Sequence, residues 1–252
     1  MTVQQVFDLL NRYAPTETAF DWDNVGLLLG NPAEEVKKTL VALDCTDEVI
    51  REAKIRGCDL IVTHHPVIFH APHTLVRGTF DGDRLTALIR NDISVISMHT
   101  NLDRAEGGVN DTLADVLGLR NIRPVPSCDN ILRMGELPAP MAVDVFLNHV
   151  KSALNVDSVR CTRVEGRLER VAVGGGACAE YFRPCIEAGC QAFVTADVKH
   201  HEYIEAAHRG LLLVDATHFA TEAVVLKVLA ERLKRDLTEV YIAQDGNPVR
   251  VV

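Results

Sequence analysis

Three separated stretches carry side chains that can hold a metal ion. They are His64 and His65 in Val62-Thr63-His64-His65-Pro66, Asp103 at the end of His99-Thr100-Asn101-Leu102-Asp103, and His218 with Glu222 four residues later. Imidazole nitrogens combined with carboxylate oxygens suit Fe, Mn, Zn, Co or Ni rather than Ca. Each stretch alone has an ordinary explanation: adjacent loop histidines in one case, an exposed ion pair in another. Together they point to a metal site. Five protein ligands exceed the three of a catalytic zinc site. They suit two ions about 3.5–4 Å apart, bridged by a carboxylate and a water.

The elements around these residues explain how they could meet. Asp59 to Thr63 is short, apolar and β-branched, as expected of a buried parallel strand, and Pro66 keeps it from continuing. Ligands of open α/β sheets bind at the carboxyl ends of strands. Neighbouring strand side chains point to opposite faces, so His64 and His65 serve one site only if the backbone bends, or else each takes its own ion. Ile93 to Met98 forms a strand that delivers His99, with Asp103 in the loop beyond. If a helix begins by Thr217, His218 and Glu222 share one of its faces.

The remaining chain alternates helix and strand. Thr2 to Tyr13 has amphipathic spacing (Val3, Val6, Phe7, Leu10), and the leucines after Gly26 form a strand. Thr39 to Leu43 is a strand, followed by a helix capped by Thr46 and closed by Gly57. Asp83 to Asn91 is a helix, and Gly107-Gly108 leads into another, Val109 to Leu117. Pro124, Pro126 and Ser127 mark a junction, which divides the chain into domains 1–126 and 127–252. Beyond it come a strand near Ile131 to Leu137, a helix from Val143 to Leu154, and strands at Ser158 to Val164 and Arg170 to Val173. Gly174-Gly175-Gly176 then opens a helix to Ala188; the three glycines cradle an anion or make a tight turn. Trp22, the only tryptophan, is expected in the core, with a pocket wall as the alternative. His200 and His201 relay protons near the site or sit exposed on a helix.

The halves resemble each other. Gly57-Cys58-Asp59-Leu60-Ile61-Val62-Thr63 is answered by Gly189-Cys190-Gln191-Ala192-Phe193-Val194-Thr195. Each is followed by helix, strand, and a His with an acid four residues on: His99 and Asp103, then His218 and Glu222. The expected fold is therefore α/β, with two similar domains from an internal duplication.

Composition sets limits. The chain has 252 residues with a formal net charge of −9, which argues against bulk nucleic-acid binding. It contains no long uncharged apolar run, so no membrane span is expected. Met1 to Leu10 lacks a basic region followed by an apolar core, so no signal peptide is expected. Seven cysteines without a Cys-x-x-Cys pair fit reduced thiols in the cytoplasm.

The stretch Asp21-Trp22-Asp23-Asn24-Val25-Gly26-Leu27, the His64-His65-Pro66 motif, His99 to Asp103 with Gly107-Gly108-Val109-Asn110, and His218 with Glu222 together resemble the Nif-three-like family. Its bacterial members are labelled GTP cyclohydrolase 1 type 2 homologues. The resemblance implies two α/β domains with a dinuclear metal site in the cleft between them, held by His64, His65, Asp103, His218 and Glu222. His99 then orients a ligand or moves a proton. It also implies a homohexamer, built as a trimer of dimers, and a small-molecule substrate, with the C8 carbon of the guanine ring of GTP as the point of attack. The alternative is a non-enzymatic metal-binding or regulatory protein of the same fold. The chain departs from the family at Ala196 and at Thr217, where relatives often carry Gly, and it lacks the domain that longer relatives insert between the halves. Of the five residues only Asp103 and Glu222 offer two oxygens, and the longer Glu222 is expected to bridge the ions.

Overall fold

The computed structural model describes residues 1–244 and Val249. The chain forms two compact units. One comprises Met1–Ala105 and the segment that begins at Leu226; the other spans Glu106–Val225. The division thus falls at 105/106, the 126/127 junction lies inside the second unit, and the last residues of the 127–252 segment lie outside the described residues.

The first unit begins with α1 (Val3–Tyr13), whose start is fixed by a capping box: the Thr2 hydroxyl accepts from Gln5 N–H and the Gln5 side chain accepts from Thr2 N–H. Then come β1 (Gly26–Leu29), β2 (Lys38–Ala42), α2 (Asp47–Arg56), β3 (Leu60–Thr63), α3 (Phe80–Arg90), β4 (Ser94–Ser97) and α4 (Thr100–Arg104). Thr46 caps α2 through Val49 N–H, and Gly57 closes it at φ +67°, as expected.

The second unit contains α5 (Val109–Val116), β5 (Arg120–Pro124), β6 (Arg133–Ala142), α6 (Val143–Leu154), β7 (Arg160–Cys161), β8 (Arg167–Val173), α7 (Phe182–Glu187), β9 (Ala192–Thr195), α8 (His200–His208), β10 (Leu212–Asp215) and α9 (His218–Glu222). After α10 (Val225–Leu233), β11 (Glu239–Ile242) pairs with β2 and so completes the first unit's sheet.

That sheet runs β1-β4-β3-β2-β11, with β2, β3 and β4 mutually parallel and β1 antiparallel at the edge. All four residues of β3 and of β4 are buried, as expected of parallel strands covered on both faces. Leu40, Ile61 and Val95 pack there with Val49, Ala53, Leu85 and Leu88 of the helices. The second sheet runs β5-β6-β8-β9-β10-β7, with β8, β9 and β10 parallel. Phe146 and Val150 of α6 pack with Val171, Val194 and Leu212. The fold is mixed α/β with two sheets.

Several segments differ from the sequence expectation. The stretch from Ser158 to Val164 is a strand only at Arg160–Cys161. Asp103 lies on the one-turn helix α4 rather than in a loop; five residues are too few to show periodicity. The helix that carries His218 and Glu222 is short, with α9 ending at Glu222 and a separate helix, α10, starting at Val225. Gly174 to Gly176 do not open α7 directly, because a 3-10 turn, Ala179–Tyr181, intervenes.

Candidate metal centre

The first unit gathers three imidazoles at the carboxyl ends of β3 and β4. The chain turns after Thr63, so His64 and His65 lie side by side with ring centroids 5.0 Å apart. His99, next after Met98 at the end of β4, stands 5.2 and 5.5 Å from them. One donor atom from each of the three falls within 4.8 Å of the others.

The second nitrogen of each ring is already committed. His64 Nδ1 donates to the Met98 carbonyl at 2.8 Å. His65 Nδ1 donates to Asp44 at 2.7 Å, and His99 Nδ1 donates to Asp23 at 2.8 Å. A ring that donates through Nδ1 keeps a lone pair on Nε2, which is the form a metal ion takes. Asp103 sits one helical turn beyond His99, with its Oδ1 3.7 Å from His64 Nε2.

Asp23 is the most constrained of the orienting acids. Burial pushes its carboxyl up, but hydrogen bonds from His99 and from the Thr100 hydroxyl and amide outweigh this and hold it at about 2. It therefore stays ionised and fixes the tautomer of His99.

The second unit repeats the arrangement. His218 opens α9, with Nε2 3.1 Å from Glu222 Oε2, and its Nδ1 donates to Asp197 at 2.6 Å. The short loop Gly174-Gly175-Gly176 lies against this pair. A Cβ on Gly176 would lie 2.1 Å from Glu222 Oε1 and 3.1 Å from His218 Nε2. The three loop amides donate to the Val194 carbonyl, Asn110 Oδ1 and Thr221 Oγ1. They are spent inside the protein, so the loop is no anion cradle; its glycines let the backbone approach α9.

Backbone strain accompanies this set. Asp197 has φ +51° and Thr217 has φ +70° with ψ 141°, unusual for any residue but Gly and most so for a β-branched one. Thr217 is one of the two departures from the family pattern. Ala196, the other, has no positive φ and is buried, so an Ala costs it nothing in backbone conformation.

The donors fit a transition-metal ion. In both units a histidine is locked by an oxygen on Nδ1 and stands near a carboxylate that could share the ion. Asp44, Asp23 and Asp197 are the orienting residues that sequence alone does not mark. Their signals are position, Asp44 and Asp197 just beyond strand ends, and, for Asp23, three residues before β1, its place in the motif at residues 21–27. His200 and His201 are exposed on the first turn of α8. Trp22 is not in the core: it is 59% exposed.

Residues 1–248 match the family described as Duf34/NIF3 (NGG1p interacting factor 3). The chain belongs to this family. Among DUF34/NIF3 relatives, the GTP cyclohydrolase 1 type 2 homolog of Clostridium perfringens is 35% identical over 243 residues, covering 94% of this chain and 93% of the relative. The GTP cyclohydrolase 1 type 2 of Helicobacter pylori is 31% identical over 254 residues, 99% of each chain. A Staphylococcus aureus hypothetical protein of known structure superposes with a TM-score of 0.93 at 30% identity, over 100% of this chain and 99% of that one. The sequence resemblance is thereby confirmed at the level of family and fold. Among the described residues, no helix is long and apolar enough to cross a membrane.

Proposed function

We propose that the chain is a dinuclear-metal-dependent hydrolase of the GTP cyclohydrolase 1 type 2 kind. One observation carries this reading: His64, His65, His99 and His218 each have Nδ1 pinned by an oxygen, the arrangement that orients an imidazole for a metal ion. Surface histidines have no need of such orientation. His64, His65, Asp103, His218 and Glu222 would hold two divalent ions, with Glu222 shared by both. Two such ions would supply Lewis acidity and a water acidic enough to attack carbon at neutral pH. His99 is equipped like a ligand, but the family resemblance leaves it outside the set. Its Nε2 then serves as a proton acceptor, with Asp23 stabilising the charged ring. The names of relatives support GTP as the substrate, and the family resemblance implies attack at C8 of its guanine ring.

The same reading extends to ancestry and setting. The series β2-α2-β3-α3-β4-α4 and β8-α7-β9-α8-β10-α9 place His99 with Asp103, and His218 with Glu222, at matching points, which supports a duplication. All seven cysteines are free thiols, which supports a cytoplasmic setting. The resemblance supports a homohexamer.

The test is turnover of GTP by the hexamer or whatever assembly is purified, stripped of metal and then reloaded with Mn, Fe, Zn, Co or Ni in turn. Turnover that appears only on reloading, and that His99→Ala loses while retaining metal, is expected. Full loading with no turnover would make the chain a metal-binding or regulatory protein instead. Equal metal loss in His99→Ala and Asp103→Ala would make His99 a ligand.

A further inference from the structure

Trp22 is the only tryptophan of the chain, and it is 59% exposed. An aromatic this large is normally mostly buried, yet the segment carrying it is firmly held. Asp23, the next residue, accepts from His99 and Thr100. Asn24 Nδ2 donates to the Ile68 carbonyl at 2.6 Å, which ties the segment to the residue before Phe69. Phe20 backs the indole. Phe20 stacks on it with centroids 5.6 Å apart and planes 18° apart, and the Arg104 guanidinium lies 5.0 Å from the Phe20 ring. Phe69, 41% exposed, stands 6.1 Å from the indole at a tilt of 48°. Both rings reach the histidine cluster: Trp22 is 6.2 Å and Phe69 6.1 Å from the His99 ring, each nearly perpendicular to it.

An exposed, rigid, flat surface ending at an oriented imidazole suits one kind of ligand. An aliphatic ligand would gain little from a stacked face. A planar heterocycle would gain a π-face on the indole and, at its edge, a hydrogen-bond partner in His99. We propose that Trp22, flanked by Phe69, is a stacking platform that positions a purine-like ring with its edge toward His99. This deepens the hydrolase reading by assigning the subsite for the base, and ring binding can be measured without turnover.

The single tryptophan makes its own emission the probe. The intact protein, both stripped of metal and metal-loaded, is titrated with guanosine, with GTP and with ribose 5-phosphate as a control without a base. Saturable quenching by guanosine and GTP in both forms, and none by ribose 5-phosphate, is expected. In equilibrium dialysis with GTP, Trp22→Ala should bind roughly 5- to 150-fold more weakly, the range typical of base–aromatic stacking. Trp22→Phe should retain part of that affinity. Both variants should keep wild-type metal content and wild-type mass by light scattering. Absence of saturable quenching, equal quenching by ribose 5-phosphate, or wild-type GTP affinity in Trp22→Ala would each overturn the platform. So would a fall in assembly mass in Trp22→Ala, which would make the indole a contact between copies of the chain. Normal metal loading without quenching removes the platform alone, whereas quenching in a protein that takes up no metal removes the hydrolase reading alone.

Discussion

Replacing Gly176 with Ala separates backbone strain from damage to the site. Gly176 has φ +63°, and an added Cβ would lie 2.1 Å from Glu222 Oε1 and 3.1 Å from both Glu222 Cδ and His218 Nε2. The glycine cannot retreat, because its amide donates to Thr221 Oγ1 and its carbonyl accepts from Ala196 N–H and Thr195 Oγ1. Glu222 must therefore move. Taking its oxygen from 2.1 Å out to an ordinary contact of 3.4 Å requires 1.3 Å. Gly57 supplies the control: its φ is +67°, and nothing lies within 4 Å of an added Cβ. Gly57→Ala should cost only the left-handed conformation, about 1 kcal/mol, or roughly 2–4 °C in Tm for a chain of this size. Gly176→Ala should cost a further 1–3 kcal/mol or so for the overpacking and weaken metal binding at least 10-fold, on the scale of roughly 10- to 100-fold losses seen when ligand support is disturbed. Thermal melts of both variants and metal titration against a chelator give the comparison. Equal Tm losses with unchanged metal affinity would refute the contact between the loop and Glu222 as the source of the effect.

Other expected outcomes follow from the same geometry. Thr217→Gly should relieve a strain of about 1–3 kcal/mol and return about 0.5–1 kcal/mol in chain entropy, so calorimetry should show a higher Tm; a lower one would mean the φ of +70° is not strained. Asp44→Ala removes the acceptor for His65 Nδ1 and should weaken metal binding roughly 10- to 100-fold. Because Asp44 is 42% exposed, its melting temperature should barely change, and unaltered affinity in a chelator competition would show that Asp44 does not orient His65.

Much of the site is legible in the sequence because it sits where strong signals end. His64 and His65 follow a four-residue buried strand, and His99 follows another. Thr46 and Gly57 bracket α2 by cap chemistry that acts within a few residues. The partners of the histidines are harder to read. Asp44, Asp23 and Asp197 are single acids that lie 21, 76 and 21 positions from their imidazoles in sequence, and spacing alone does not distinguish them from surface acids. Edge strands fail for another reason. β5 is exposed except at Ile122 and has no apolar alternation, while β11 joins the first sheet by pairing with β2 far back in the chain. Trp22 shows the limit of hydrophobicity as a guide: its residue type argues for the core, whereas its exposed place is set by the ties of Asp23 and Asn24. The glycine loop looks like an anion cradle from composition alone. Only the partners of its amides, Val194, Asn110 and Thr221, show that it is a packing device.

The most direct measurement is a count of ions per chain, made by titrating one divalent metal into stripped wild-type protein, Asp103→Ala and Glu222→Ala. Wild type should take up two. Asp103→Ala should lose one and keep the other, and Glu222→Ala should be weakened at both, as the bridging role proposed for Glu222 beside His218 requires. A wild-type protein that binds fewer than two ions, or a Glu222→Ala protein that still holds one at wild-type affinity, would contradict the shared dinuclear site.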